Sequence, residues 1–177
     1  MEETKNTAYR VENTTLEDLD FIGWLYDEAI KYQQNNNYFG WQEMDRAYLQ
    51  REVERKLHYK IVQDGTIICA FSVVFSDPLI WRDRDRGKSI YLHRIVVNPN
   101  FKGQKQFAKV FQWAIDYSTA NGLSSIRMDT WTANPSIINF YKQYGFEFIE
   151  EFKTGNTEDL PLQHRNLDVT LLEYSIK

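Results

Sequence analysis

The 177-residue sequence predicts an α/β (α+β) domain organised around a mixed sheet. Three observations lead there. Apolar residues recur at helical spacing in the first third, the period changes to that of strands at His58, and strands alternate with helices from Ile90 onward. Apolar residues make up 42% of the chain and aromatics 15%, enough to fill one core. No linker-like run divides it, so residues 1–177 read as a single domain.

The elements follow in order. Leu19, Ile22, Leu25, Tyr26, Ala29 and Ile30 share a helical stripe, and Thr15 with Asp18 makes a capping signal before it. A second amphipathic stretch covers about 45–57. Gln33-Gln34-Asn35-Asn36-Asn37 reads as a solvated loop, and so does the sign-alternating run Arg82-Asp83-Arg84-Asp85-Arg86. Residues 58–63 and 66–75 read as strands around Asp64-Gly65, a pair suited to the positive φ angles of a tight hairpin turn. The run Ile67-Ile68-Cys69-Ala70-Phe71 is apolar on both faces and predicts a central strand, with Cys69 as a buried structural thiol. A strand over 90–97 stops at Asn98-Pro99-Asn100. The helix after it spans about 104–121, with Phe107, Val110, Phe111, Ala114, Ile115 and Ser118 on one stripe and Asn121-Gly122 at its end. A strand over 125–130, a short helix over 135–144 and strands over 146–152 and 167–176 complete the chain.

Composition narrows the function. Lys and Arg number 21 against 25 Asp and Glu, a net charge of −4, which disfavours nucleic acid as a partner. The single cysteine excludes an internal disulfide and any multi-cysteine metal site. No apolar run approaches the roughly 20 residues of a membrane helix. The polar start Met1-Glu2-Glu3-Thr4-Lys5 lacks the pattern of a signal peptide, so a cytoplasmic protein with no membrane partner is expected. His58, His93 and His164 show no ligand-like spacing, and no metal is expected. Nucleophile elbows, phosphate loops and dinucleotide fingerprints are missing from the sequence.

The chemistry concentrates in 90–152. Lys102, Lys105 and Lys109 lie in or just before the first turns of the long helix, and no acid follows until Asp116. That placement opposes the helix dipole. A bound anion, held by free N–H groups, the dipole and the lysines, would account for it, with Gly103 allowing close approach of the backbone. Solvated lysines are the competing account. At the second helix start, Asn134 is a good N-cap and Pro135 suits the first helical position, while Gly145 and Phe146 close the far end. Ile137, Tyr141 and Tyr144 share one face of that helix.

Together, Phe101-Lys102-Gly103-Gln104 after a strand, the stretch Trp113-Ala114-Ile115-Asp116-Tyr117, then Asn134, Phe140-Tyr141 and Gly145-Phe146 resemble the acetyl-CoA-binding half of the GNAT superfamily of N-acetyltransferases. The resemblance implies a mixed, mostly antiparallel central sheet flanked by helices, and acetyl-CoA as cosubstrate. It implies that Lys102, Gly103, Gln104, Lys105, Gln106 and Phe107 hold the pyrophosphate. It also implies that Ile95, Val96 and Val97 pair with the pantetheine arm, that Asn134 touches this arm, and that Tyr141 protonates the departing thiolate. Family members carry glycine, or glycine then alanine, where this chain has Lys105 and Phe107. The acetyl group would go to a small-molecule or peptide amine, and homodimers are common in such folds.

An amine must lose a proton before it attacks, so a general base is needed. Strand alternation places Tyr91, His93, Ile95 and Val97 on one face, and His93 is the first choice for base because its ordinary pKa lies near neutrality. Asp129 on the neighbouring strand is the second. The N-terminal helices and the loops around Trp41, Trp81 and Trp131 would supply the acceptor pocket, with core packing the competing account of each tryptophan, and the net acidity leans toward a cationic acceptor. Three readings follow: an acetyltransferase, a CoA-binding module that has lost turnover, and an interaction domain without a CoA site.

Overall fold

A computed structural model describes residues 8–38 and 40–177; the polar start at residues 1–5 lies outside them. Seven strands form one sheet in the order β1-β2-β3-β4-β5-β7-β6. They are β1 (Tyr9–Asn13), β2 (His58–Gln63), β3 (Thr66–Val74), β4 (Ser89–Val97), β5 (Ser125–Trp131), β6 (Glu147–Lys153) and β7 (Asp168–Ser175). Every neighbouring pair is antiparallel except β4 with β5. The β4–β5 connection passes through α4 (Gln106–Ala120), the long crossover that a parallel pair requires.

The helices cover both faces. On one side, α4 and α5 (Pro135–Lys142) contribute Phe107, Val110, Ala114 and Tyr141 to a core with Ile68, Phe71, Ile90, Leu92, Ile126 and Leu172 of the sheet. On the other, α1 (Leu19–Asn35) and α2 (Arg46–Glu54) bury Ile22, Leu25, Tyr26, Leu49 and Val53 against Ala70 and Val96. A third cluster gathers Ile80 and Trp81 of the one-turn α3 (Pro78–Trp81) with Tyr91, Leu160, Val169 and Leu171. Among the described residues, no helix is long and apolar enough to cross a membrane.

The hairpin expected at Asp64-Gly65 forms, with φ of 50° and 74° at the two turn residues. Cys69 is fully buried, and that burial pushes its thiol up to about 12. One loop expectation is corrected: α1 continues through Gln33, Gln34 and Asn35. Gln33 Oε1 accepts the Trp41 N–H at 2.9 Å, so this polar stretch ties the following segment back to the helix. The Arg82 run is corrected in part, because Arg82–Arg84 forms a short 3-10 turn whose Arg82 and Arg84 both reach Glu150. Strand β1 and helix α3 carry too few residues for a periodic signal.

Candidate active site

The site begins where two strands part. Residues Ser89–Tyr91 of β4 pair with Ser125–Arg127 of β5, and beyond them the ladder ends. In β4 a bulge follows at once: His93 faces Ser72 and Val96 faces Ala70, so Arg94 and Ile95 together oppose Phe71. Arg94 takes φ of +47°, the left-handed region that costs a non-glycine residue energy. Between the diverging strands lies a cavity of about 1020 Å³, lined by Leu92 to Val97 on one side and Met128 to Trp131 on the other.

The bulge overturns the simple alternation expected of β4. Ile95 and Val97 pack with Ile90 and Leu92 on the α4 face, whereas Tyr91 lies in the α3 cluster and Val96 in the α1–α2 cluster. One extra residue shifts every later side chain to the opposite face. Buried groups hold the bulge in place. The Arg94 guanidinium pairs with Glu52 and donates to Ser72 Oγ at 2.7 Å. The Arg94 carbonyl accepts the Tyr26 hydroxyl at 2.8 Å. Tyr26 oxygen in turn meets His58 Nε2 at 3.1 Å, and His58 Nδ1 meets Thr14 Oγ1 at 2.7 Å. Burial lowers His58 to about 3, so this imidazole stays neutral.

At one end of the cavity the chain enters α4 through a loop whose amides are free. Among the described residues, the backbone N–H groups of 102–107 donate to no protein acceptor; the first to do so is Ala108, which bonds Lys105 O at 3.0 Å. Lys105, the N-cap, sits in the left-handed region with φ 54° and ψ 42°. Lys102, Gly103, Lys105, Gln106 and Phe107 line the cavity, whereas the exposed Gln104 does not. Lys102 Nζ lies 3.5 Å from the centre of the Tyr32 ring. Lys109 turns away to Gln63 Oε1 at 3.3 Å and Gln106 Oε1 at 2.9 Å.

Helix α5 forms the adjoining wall. Asn134 Oδ1 accepts the Ile137 N–H at 3.3 Å, the cap that fixes the helix start, and the residue also borders the cavity. Tyr141 lines the cavity from the same helix, and burial pushes its phenol well above the ordinary value.

Across the sheet, His93, Asp129 and His164 line the cavity head, and Asp77 stands behind His93. His93 Nε2 meets Asp77 Oδ2 at 3.0 Å, and His93 Nδ1 lies 3.4 Å from Asp129 Oδ1. The His164 ring, from the loop between β6 and β7, stands 5.3 Å from that of His93. Asp129 Oδ1 is buried with no hydrogen-bond partner. Burial raises the Asp129 carboxyl to about 6 despite the opposing charge of His93. For His93, burial disfavours the imidazolium, but the hydrogen bond and charge of Asp77, with Asp129 beyond, outweigh it and raise the pKa. His164 is held well below its ordinary value by burial and stays neutral. Candidate ligand atoms of Asp77, His93 and Asp129 lie within 4.8 Å of one another, a proximity that the sequence spacing gives no sign of. The arrangement is that of one imidazole between two carboxylates.

The profile of the Acetyltransferase (GNAT) family matches residues 19–146. This chain belongs to the GNAT family. The uncharacterized N-acetyltransferase YesJ of Bacillus subtilis is 36% identical over 168 residues, covering 84% of this chain and 93% of that protein. A GNAT family acetyltransferase from Listeria monocytogenes superposes with a TM-score of 0.77 at 18% identity, over 98% of each chain. A putative acetyltransferase from Salmonella typhimurium, solved with its cofactor acetyl-CoA, superposes with a TM-score of 0.64 at 18% identity, over 96% of this chain and 95% of that one.

This GNAT chain accommodates both of its departures from the family pattern. Lys105 adopts the left-handed conformation that glycine takes most easily. The Phe107 side chain is 7% exposed and packs 4.9 Å from the Tyr141 ring and 4.8 Å from that of Tyr144, so its bulk lies between α4 and α5. The acceptor-pocket expectation is corrected at Trp81, which is fully buried in the third cluster, whereas Trp41 and Trp131 line the cavity with ring centres 5.7 Å apart. Neither Asp77 nor His164 carries a sequence signal that points to this site. Asp77 reads only as the residue before Pro78, and His164 lies in a segment without periodicity.

Proposed function

We propose that this GNAT enzyme, an acetyl-CoA-dependent N-acetyltransferase, passes the acetyl group directly to a primary amine while both substrates are bound. The observation that supports this best is the opening between β4 and β5. It leaves the backbone of 92–97 unpaired toward β5, between Tyr141 on one face of the sheet and the Asp77–His93–Asp129 group on the other.

The residues present suit acetyl-CoA. Six successive N–H groups without protein acceptors, beside Lys105, match the acceptor-rich diphosphate of the cofactor. Ile95, Val96 and Val97 offer strand backbone to the amide-bearing arm, and Asn134 borders the same wall. When bound, acetyl-CoA supplies an acetyl group activated as a thioester.

The chain's own groups do the proton work. Asp129, which borders the cavity and faces His93 through Oδ1, accepts a hydrogen bond from the incoming ammonium through its carboxylate and takes one of its protons. His93, fixed through Nε2 by Asp77, presents Nδ1 to Asp129 and draws that proton inward. The freed amine forms the C–N bond as the C–S bond breaks. Tyr141, kept protonated by burial, gives its hydroxyl proton to the sulfur, and the surplus proton of the acylated nitrogen passes through solvent to restore it. In this reading His93 acts through Asp129, the residue that meets the amine.

Lys105 and Phe107 are the departures that favour a silent module; against it, Lys105 takes the left-handed conformation and the Phe107 ring packs on Tyr141. The test is Tyr141→Phe. It should lower kcat by about 10²-fold, the usual scale for a lost proton donor, with acetyl-CoA affinity unchanged. Undiminished turnover would remove the assigned role. Failure of the wild type to release free thiol with any amine, while still binding acetyl-CoA, would favour the silent module.

A further inference from the structure

We propose that the acceptor is a primary monoamine whose body is apolar and carries no further charge. This rests on the reading of the cavity as an acetyl-transfer site. It goes beyond that reading by assigning the acceptor's chemistry from the charges that the cavity leaves unmatched.

Each charged group along the cavity wall is accounted for. Of the carboxylates, Glu28 at the rim is paired with Lys31 at 2.7 Å, and Asp129 shares the His93 imidazole, 3.4 Å away, with Asp77. Asp77 stands behind His93 and does not line the space. Of the cations, Lys102 and Lys105 belong to the loop at the far end, and Lys102 rests on Tyr32. Arg94 lines the cavity, but its guanidinium is committed to Glu52 and Ser72 on the α2 side. His93 is held by Asp77, and His164 is neutral. Among the described residues, the acceptor end therefore sets two carboxylates against one imidazole, an excess of one negative group, and leaves no positive group unmatched.

Much of the remaining wall there is apolar. Trp41 and Trp131 stand edge to face, and Leu167 and Val169 close the space from β7 and the segment before it. A single ammonium fits the excess of one negative group. A carboxylate or phosphate on the acceptor would be desolvated beside Asp129 with nothing to pair it, and a second ammonium would find no second acid. Hydrocarbon or an aromatic ring, by contrast, meets surface of its own kind.

A panel of acceptors tests this through thiol release and product mass with wild-type enzyme and acetyl-CoA. The panel holds 2-phenylethylamine, 3-methylbutylamine, L-phenylalanine, spermidine and a short peptide with a free N-terminus. Phenylalanine has the body of phenylethylamine plus a carboxylate, so that pair isolates the charge. We expect kcat/KM for the two monoamines to exceed the values for the other three by about 100-fold, the scale of an unpaired charge in a dry site. Preference for phenylalanine, spermidine or the peptide would overturn the acceptor assignment and leave acetyl transfer standing. Silence toward every amine, with acetyl-CoA bound, would overturn both.

Discussion

Asp129 should cost the protein stability in return for its function, and Asp129→Asn measures the cost. In the folded chain its carboxyl titrates at about 6 rather than 3.8, because burial disfavours the carboxylate more than His93 favours it. A folded pKa above the unfolded one means that the folded state holds its proton longer. Stability from this group is therefore fully present below about pH 3.8 and is lost as pH rises through about 6. A shift of that size corresponds to about 3 kcal/mol at its upper bound. Asparagine never ionises and escapes the penalty, although its amide must still find partners near His93. We expect Asp129→Asn to be more stable than wild type by about 1–3 kcal/mol at pH 8, the difference shrinking toward zero near pH 4. Urea unfolding across that range reads it from the midpoint at constant slope. The same variant should bind acetyl-CoA and fail to transfer the acetyl group. A variant equally or less stable at pH 8, or a difference independent of pH, would refute the reasoning.

Three further outcomes follow from the same geometry. In wild-type enzyme, kcat/KM corrected for ionisation of the amine should rise with pH through an acid limb at about 6 or above, as Asp129 and then His93 give up their protons; a profile flat between pH 5 and 8 would contradict this. Glu52→Gln leaves the buried Arg94 without its counter-charge, and should cost about 3–5 kcal/mol in urea unfolding, far more than an exposed pair. Lys105→Ala keeps the left-handed N-cap but removes a charge from the loop, and should weaken acetyl-CoA binding by calorimetry roughly 3–10-fold, the scale of one partly screened phosphate contact, with kcat unchanged at saturation.

Much of the fold was legible because local chemistry and global structure agree. Asp64-Gly65 marks the hairpin, so β2 ends at Gln63 and β3 begins at Thr66, as the turn residues require. The stripe beginning at Phe107 identifies α4, and Asn134-Pro135 identifies the start of α5. What was not legible depends on distant contacts. Arg94 enters the left-handed region although it is neither glycine nor asparagine, because Glu52, Ser72 and Tyr26 hold it there from other elements. That single residue reverses the faces of Ile95 and Val97, which period-two reasoning cannot foresee. Asp77, His93, Asp129 and His164 come from four separate segments, and only tertiary folding brings them into one group. Gln33 looks like loop by composition, yet its amide oxygen finds the Trp41 N–H and α1 runs on to Asn35.

Amide hydrogen exchange with and without acetyl-CoA tests the central claim most directly. The N–H groups of 102–107 lack protein acceptors, so they should exchange quickly in the free enzyme. At saturating acetyl-CoA these amides, together with those of β4 that face β5, should slow markedly while the far end of α4 stays unchanged. Unaltered exchange at 102–107 in an enzyme that still releases thiol would mean the cofactor is held somewhere else.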